Sequence, residues 1–373
     1  MLEMLKWLCQ KLMEAEVAEK IGAAKGKHTE NRKGYRSGSR VRRFDSRMGT
    51  MYLIVPKVRK GGYIPFFVTE KKRSEQALMQ VVQEAFINGV STRKIERLAK
   101  SLGINSMSSS QVSEINKELN EQVKAFRERQ LEKIYPILWV DALYEKIRSN
   151  GKVQSMAVHV VCGLNLEGKR EILAIEPMYR ETEASYECLF DGLKKRGLEE
   201  TWLVISDSHK GLTKAIQKSF TGSSWQRCKV HFMRNILAHI SPRKKDGFAA
   251  QLKQIWQQPD YEKAKFYANS IIDEFQNAYP QAISTLEDGL EDTLQYYNFP
   301  EIDPRKISST NILERLFREI RRRIKVVGIF PSMESYIRLV SCNLMEYSED
   351  WSDGRSYIKK EIIETVLARR KAA

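Results

Sequence analysis

The sequence predicts an α/β fold: a mixed sheet with helices on its faces, carrying an all-helical insertion and preceded by a basic arm and a helix-turn-helix segment. Three observations carry this. Ile137-Leu-Trp-Val-Asp-Ala-Leu-Tyr is nearly continuous apolar, as a strand covered on both faces must be. Residues 153–162 and 170–175 read as two more strands, joined through Asn165 to Gly168 as an antiparallel meander. Helical and strand periods then alternate: a helix over 183–196, a strand over 202–206, a helix over 209–220 and a short strand around 225–230.

The remaining elements follow in chain order. Residues 1–73 open on an amphipathic helix (Met-Leu-Glu-Met-Leu-Lys-Trp-Leu), not on the basic flank and apolar centre of a signal peptide. From Lys20 to Lys60 there are 13 basic residues against two acids, spaced by Gly and Ser, which reads as a mobile basic arm. The segment from Gly49 is β-branched and aromatic, a short strand or hairpin turning at Gly61-Gly62. Within 74–130 one helix runs near 74–88 and ends at Gly89, a second is capped by Ser91 and stops at Gly103, and a third begins in Ser108-Ser109-Ser110. That succession reads as a helix-turn-helix or as an ordinary three-helix bundle; beside the basic arm, DNA reading is favoured, with Ser109, Ser110 and Gln111 offered to a groove. The core fills 131–234, the strand-free insertion 235–305, and a long helix from Asn311 opens the completing segment 306–373.

Composition narrows the partners. The 373 residues carry 63 Lys and Arg against 47 Asp and Glu, a net charge of +16, which calls for a polyanion. No apolar stretch approaches the roughly 18 residues of a membrane span. Five scattered cysteines fit a reducing cytoplasm rather than a disulfide framework.

Three acids sit where stability alone would not put them. Asp141 interrupts the first core strand on the face of Ile137, Trp139 and Leu143, and needs a cation or a hydrogen-bond partner there. Asp207 ends a strand at the carboxyl edge where α/β sheets collect ligands, although it is equally placed to cap the next helix. On the helix from Asn311, at 100° per residue, Glu314 falls in a stripe with Arg318, Arg321 and Lys325 beside the apolar face, and Glu319 on the opposite shoulder. The plain alternatives for Glu314 are a capping box with Asn311 or an ion pair with Arg318 worth about 0.3–0.5 kcal/mol. Together the three carboxylates suit Mg²⁺ or Mn²⁺, as a pair of ions about 3.5–4 Å apart for in-line phosphoryl transfer. A basic chain with such a triad is a candidate DNA nuclease or strand-transferase.

Six segments in order are familiar: Gly34-Tyr-Arg-Ser-Gly, Ser91-Thr-Arg-Lys-Ile, Trp139-Val-Asp-Ala, Val204-Ile-Ser-Asp-Ser-His-Lys-Gly-Leu, Trp225-Gln-Arg-Cys-Lys-Val-His-Phe-Met-Arg-Asn and Ser309-Thr-Asn-Ile-Leu-Glu-Arg-Leu-Phe-Arg-Glu-Ile-Arg-Arg-Arg. They resemble the Mutator-type insertion-sequence transposases of bacteria over nearly the whole chain. The resemblance implies a ribonuclease H-like core whose Asp-Asp-Glu triad carries over onto Asp141, Asp207 and Glu314, with a helical insertion before the third acid. It also implies a Cys-x-x-His element at Cys228 and His231. Two ligands without a partner pair do not make a zinc site, so His231 is expected as an active-site or DNA-contacting residue, or as a support beside Asp207. His209 is a further candidate near the substrate. The expected partners are double-stranded DNA, as terminal inverted repeats and target, and further copies of the chain in a homodimer or higher homo-oligomer. Arg36, Arg40, Arg42 and Arg43 of the arm, and Arg315, Arg318, Arg321, Arg322 and Arg323 of the helix, would hold phosphates. A cytoplasmic, nucleoid-associated protein is expected. The rival readings are a non-catalytic DNA-binding regulator and a structure-selective nuclease on the same core.

Overall fold

The longest apolar run becomes the middle of a sheet. In the computed structural model, which describes residues 2–27, 32–46, 49–59, 62–65, 80–101, 112–113, 116–149, 152–325 and 327–372, it is strand β3 (Ile137–Ser149). Strands β4 (Lys152–Leu164) and β5 (Arg170–Met178) extend it antiparallel, with Asp141 opposite Val160 and Ala142 opposite His159. Helix α5 (Glu183–Lys195) then crosses over to β6 (Leu203–Ser206), and α6 (Lys210–Ser219) to β7 (Ser224–Arg227); both of these strands run parallel to β3. The order is β5-β4-β3-β6-β7, so the sheet is mixed, as expected.

The strand period sorts side chains to two covers. Leu138 and Val140 of β3 join Val161, Val204, Leu189, Phe190, Leu212 and Ile216 in the core under α5 and α6. The alternate residues Ile137, Trp139, Asp141 and Leu143 face α12 (Asn311–Ile324) and α13 (Met333–Asp353), where Tyr336 donates to the Leu143 carbonyl at 3.1 Å. Double burial is why both registers of β3 are apolar.

One expected strand boundary is wrong. β7 stops at Arg227, and Lys229–Ala238 is helix α7, so Val230 belongs to a helix. Phe232 and Ile236, four residues apart, are both fully buried, and that spacing makes a helix face. Beyond α7 the insertion is helical throughout its described length: α8 (Lys245–Ile255), α9 (Tyr261–Phe275) and α10 (Pro280–Thr293), then the single turn α11 (Pro304–Ile307). Buried Gln226 of β7 ties it to the sheet, donating to the Thr293 carbonyl and accepting from the Tyr296 amide, both at 2.8 Å. Gly289 of α10 sits where a Cβ would fall 2.6 Å from the Phe232 ring, so the insertion closes directly onto α7. Helix α14 (Lys360–Ala372) ends the chain.

Residues 1–117 and 118–373 form two compact units. In the first, α1 (Leu2–Ile21) buries Cys9 and Met13 against Met51, Leu53 and Val55 of β2 (Gly49–Val58). The expected mobile arm is instead strand β1 (Arg36–Ser46), antiparallel to β2 with Val41 opposite Ile54. β2 presents one apolar face to α1 but also a row of backbone donors and acceptors, which β1 satisfies. The strand expected from Gly49 is β2, while Gly61 of the expected Gly61-Gly62 turn lies outside the described residues. Arg40 and Arg43 are exposed on that hairpin, while Arg36 and Arg42 are half-buried. Helices α2 (80–87) and α3 (Thr92–Ser101) follow the expected pattern, with the Lys94 amide 3.4 Å from the Ser91 hydroxyl and Gly89 at φ +82°. The expected groove residues Ser109, Ser110 and Gln111 lie outside the described residues. Helix α4 (Leu119–Glu128) belongs to the second unit. Among the described residues no helix is long and apolar enough to cross a membrane.

Candidate active site

The carboxyl edge of the sheet, α7 and α12 meet at one imidazole. His231, in the first turn of α7, points Nε2 at Glu314 Oε1 (2.9 Å) and Nδ1 toward Asp207 Oδ2 (3.9 Å). Asp141 joins His231 and Glu314 in lining one cleft of about 390 Å³. The three expected acids thus come from β3, from the end of β6 and from the first turn of α12; Asp141 and Glu314 line the cleft, and Asp207 borders it through His231.

Each acid has a local reason for its position. Asp141 Oδ1 accepts the Ala142 amide at 2.8 Å, and no ion pair with it exists among the described residues. Asp207 Oδ1 accepts the Ser208 amide at 2.7 Å; it does not cap α6, whose N-cap is His209. Its side chain is 51% exposed, which leaves it open to solvent or substrate. Glu314 makes neither of its expected local bonds. The N-cap of α12 is Thr310, and Glu314 binds His231 and, at 3.0 and 3.4 Å, both terminal nitrogens of Arg234. Arg234 is the residue the sequence reading missed. Three positions after His231, it shares that residue's side only in a helix, whereas the sequence pattern reads Val230 as the end of a strand.

The electrostatics follow from crowding. Burial pushes the Asp141 carboxyl up to about 6, against its Ala142 hydrogen bond and His231, and the negative charges of Glu314 and Asp207 add to the rise. His231 is raised to about 9, first by its interaction with the Cys228 sulfur, then by Asp207 and Asp141, with burial opposing. Burial alone would raise the Cys228 thiol, but His231 and Thr310 outweigh it and the net shift is downward. Cys228 is a fully buried hinge pin. Its amide bonds the Ser206 carbonyl (2.8 Å), and its sulfur receives the Thr310 amide (3.4 Å) and hydroxyl (3.5 Å), so the starts of α7 and α12 are joined there.

A pH dependence follows. A histidine raised from 6.5 to about 9 contributes stability in full below pH 6.5, and this is lost as pH climbs through 9. Thermal denaturation should therefore show the protein losing stability between pH 6.5 and 9.5, with His231→Gln lacking that component. An identical pH profile in the variant would refute the assignment.

The other expected residues divide. Arg318 and Arg321 line the cleft, Arg321 with its Nε 3.7 Å from Glu145. Arg322 is 73% exposed and paired with Glu319, and Arg315 opens on the other side of α12. Arg323 is corrected to a structural role: it bonds Asn343 (2.6 Å) and Glu346 (2.7 Å) and fastens α12 to α13. Among the described residues His209 makes no hydrogen bond or ion pair with the three acids. Its ring packs on Tyr186 (5.6 Å between centroids), beside buried His159, whose Nε2 lies 3.0 Å from both Tyr186 Oη and Glu181 Oε1. That His159 bond, more than any other influence, holds Glu181 down at about 2.

Carboxylates are the donors that hard divalent cations take. Among the described residues, however, no three His, Cys, Asp or Glu side chains are grouped to hold an ion. The nearest obstacle is visible: Glu314 is occupied by the two cationic side chains of α7.

Comparison with known proteins adds the lineage. The family model described as "Transposase, Mutator family" matches residues 1–354. The chain is 39% identical to the transposase for insertion sequence element ISRM5 of Rhizobium meliloti, over all of this chain and 94% of that one. It is 40% identical to the transposase for IS256 in transposon Tn4001 of Staphylococcus aureus, over 93% and 90% of the two chains. It is also 39% identical to the transposase for IS1081 of Mycobacterium tuberculosis, over 97% and 87%. A solved Drosophila P element transposase strand transfer complex covers 79% of this chain and 85% of its own at 11% identity, with a TM-score of 0.31, too low to define a shared fold.

Proposed function

The chain belongs to the Mutator family of transposases, and on that premise we propose that it binds the terminal inverted repeats of its own element, cleaves DNA there and joins a freed 3′-hydroxyl to a target phosphate. The observation that carries the chemistry is that Asp207 and Glu314 both approach His231, which lines one cleft with Asp141 and Glu314. These three are the proposed holders of Mg²⁺ or Mn²⁺. When bound, such ions activate the attacking hydroxyl and stabilise the leaving oxygen of an in-line displacement.

The chain's own side chains set the conditions. Asp141 and Asp207 approach from neighbouring parallel strands and carry mutually repelling charge, which a cation relieves. Glu314, bound here by His231 and Arg234, would hold an ion only in place of those two cations. With Arg318 and Arg321, the same two side chains line the cleft as positive groups that would suit a substrate phosphate. His231, held protonated at neutral pH by Cys228, Asp207 and Asp141, would be the proton donor nearest Glu314.

The order β5-β4-β3-β6-β7, three antiparallel strands continued by two parallel ones, supports a ribonuclease H-like core. Helices α2 and α3, broken at Gly89, support a helix-turn-helix that reads the repeats, with the β1 hairpin arginines on the backbone. Joining two ends calls for at least two copies of the chain.

The test is a cleavage assay on the element's own ends. Expected are nicks at the repeat boundary with Mg²⁺ or Mn²⁺ and none with chelator. Tight, salt-dependent binding without any nicking would establish a regulator instead. Cutting of branched DNA without preference for the repeat ends would establish a structure-selective nuclease.

A further inference from the structure

Helix α12 has a second cleft on its other side. At 100° per residue, Glu314, Phe317, Arg318 and Arg321 face the acidic cleft, whereas Ile312, Arg315, Leu316 and Glu319 face the opposite way. The second cleft is about 290 Å³, at the lower end of the roughly 300–1,000 Å³ of small-molecule sites. Its walls combine cations and rings. Arg170 lies over both Trp351 (4.2 Å) and Tyr357 (4.5 Å), and Lys306 lies over Tyr357 (5.3 Å) while donating to its carbonyl. Tyr347 lines the same wall, one helical turn before Trp351.

The charge there is uncompensated. Arg305 is answered by Asp303 at 2.7 Å, and Glu319 by Arg322 at 3.0 Å. Arg170, Lys306 and Arg315 make no ion pair among the described residues. A cavity with three cations outside any close ion pair and several aromatic rings matches a phosphate with a base attached. Aromatic walls add little for a paired duplex, whose bases already stack on one another, but they stack well on an unpaired base.

We propose that this cleft holds an unpaired nucleotide of the DNA strand being processed, its phosphate on Arg315 and Lys306 and its base against Trp351 and Tyr347. The inference rests on the transposase reading and extends it. Arg315, Arg318 and Arg322 form the outward ridge of α12 between the two clefts, so a strand leaving the three acids crosses a line of guanidinium groups to reach the second. The helix is about 10–12 Å across, on the order of three nucleotides at ~3.4 Å per base.

The experiment is fluorescence anisotropy in EDTA with full-length protein, using a labelled 12-nucleotide oligothymidylate, a duplex of equal length, and thymidine monophosphate as competitor. Trp351→Ala should weaken single-strand binding about tenfold, with Trp351→Phe restoring most of it, while duplex affinity changes less than about twofold. Arg315→Gln, at an exposed position that does not threaten folding, should lower the salt slope for the single strand by about 0.7. Unchanged single-strand affinity and salt slope in folded Arg315→Gln would overturn the proposal, as would unchanged affinity in folded Trp351→Ala. Monophosphate competing as well as the oligonucleotide would also overturn it, by identifying a free-nucleotide site. Because no metal is present, these outcomes are independent of cleavage. Absent nicking by wild-type protein would sink the catalytic reading while leaving the strand-binding measurement intact.

Discussion

Asp141→Asn, Asp207→Asn and Glu314→Gln should each lower metal-dependent cleavage of the element's ends by at least about a thousandfold, some 4 kcal/mol of transition-state stabilisation, while repeat binding should stay within a few-fold of wild type. The amides keep shape and remove the charge a divalent ion requires. Wild-type cleavage in the three variants would refute the triad. Thermal denaturation supplies a second signature, with opposite signs at two of the positions. Asp141 is a carboxylate whose ionised form is disfavoured by burial and by its acidic neighbours, so Asp141→Asn should melt higher than wild type at pH 7. Glu314 is paired with His231 and Arg234, so Glu314→Gln should melt lower. A site built for stability alone would show losses at both.

Trp139→Ala destabilises the second unit by about 3–5 kcal/mol and lowers its melting temperature on the order of 10 °C. Trp139 is completely buried two residues before Asp141 on the same face of β3, edge-on to Tyr357 at 6.0 Å between centroids. Its indole nitrogen has no hydrogen-bond partner among the described residues, so the loss is cavity and contact rather than a broken bond. Tyr357 is also the ring under Arg170 and Lys306, so the variant loosens the second cleft as well as the strand bearing Asp141. Trp139→Phe should recover most of the loss, since an aromatic edge contact with Tyr357 survives. Equilibrium denaturation measures both; equal stabilities of wild type and Trp139→Ala would contradict the packing described.

Sequence pattern was a good guide wherever one short-range rule governed. The run from Ile137 is apolar in both registers because helices cover both faces of β3, and that is visible in eight consecutive residues. The helical insertion was legible for the same reason. The β1 hairpin was not. Arg40, Arg42 and Arg43 have the composition of a solvated arm, and what makes them a strand is the unpaired edge of β2, which composition does not report. The start of α7 was misread because Val230 is β-branched, and the anchoring of Phe232 and Ile236 against the insertion outweighs a local preference worth a few tenths of a kcal/mol.

By itself, the order of residues determined the lineage, the layered α/β core, the excess of positive charge and three unusually placed acids. Those features are local in the chain or are matters of composition, so periodicity, motif spacing and residue counts capture them. Tertiary structure alone decided the company those acids keep. His231 and Arg234 reach Glu314 across 83 and 80 residues of sequence, Arg323 is turned inward to Glu346, and one helix divides an acidic cleft from an aromatic, cationic one. The physical reason is range: a salt bridge depends on a few ångströms of separation in space, and only the packing of α7 and α12 onto the sheet creates that closeness.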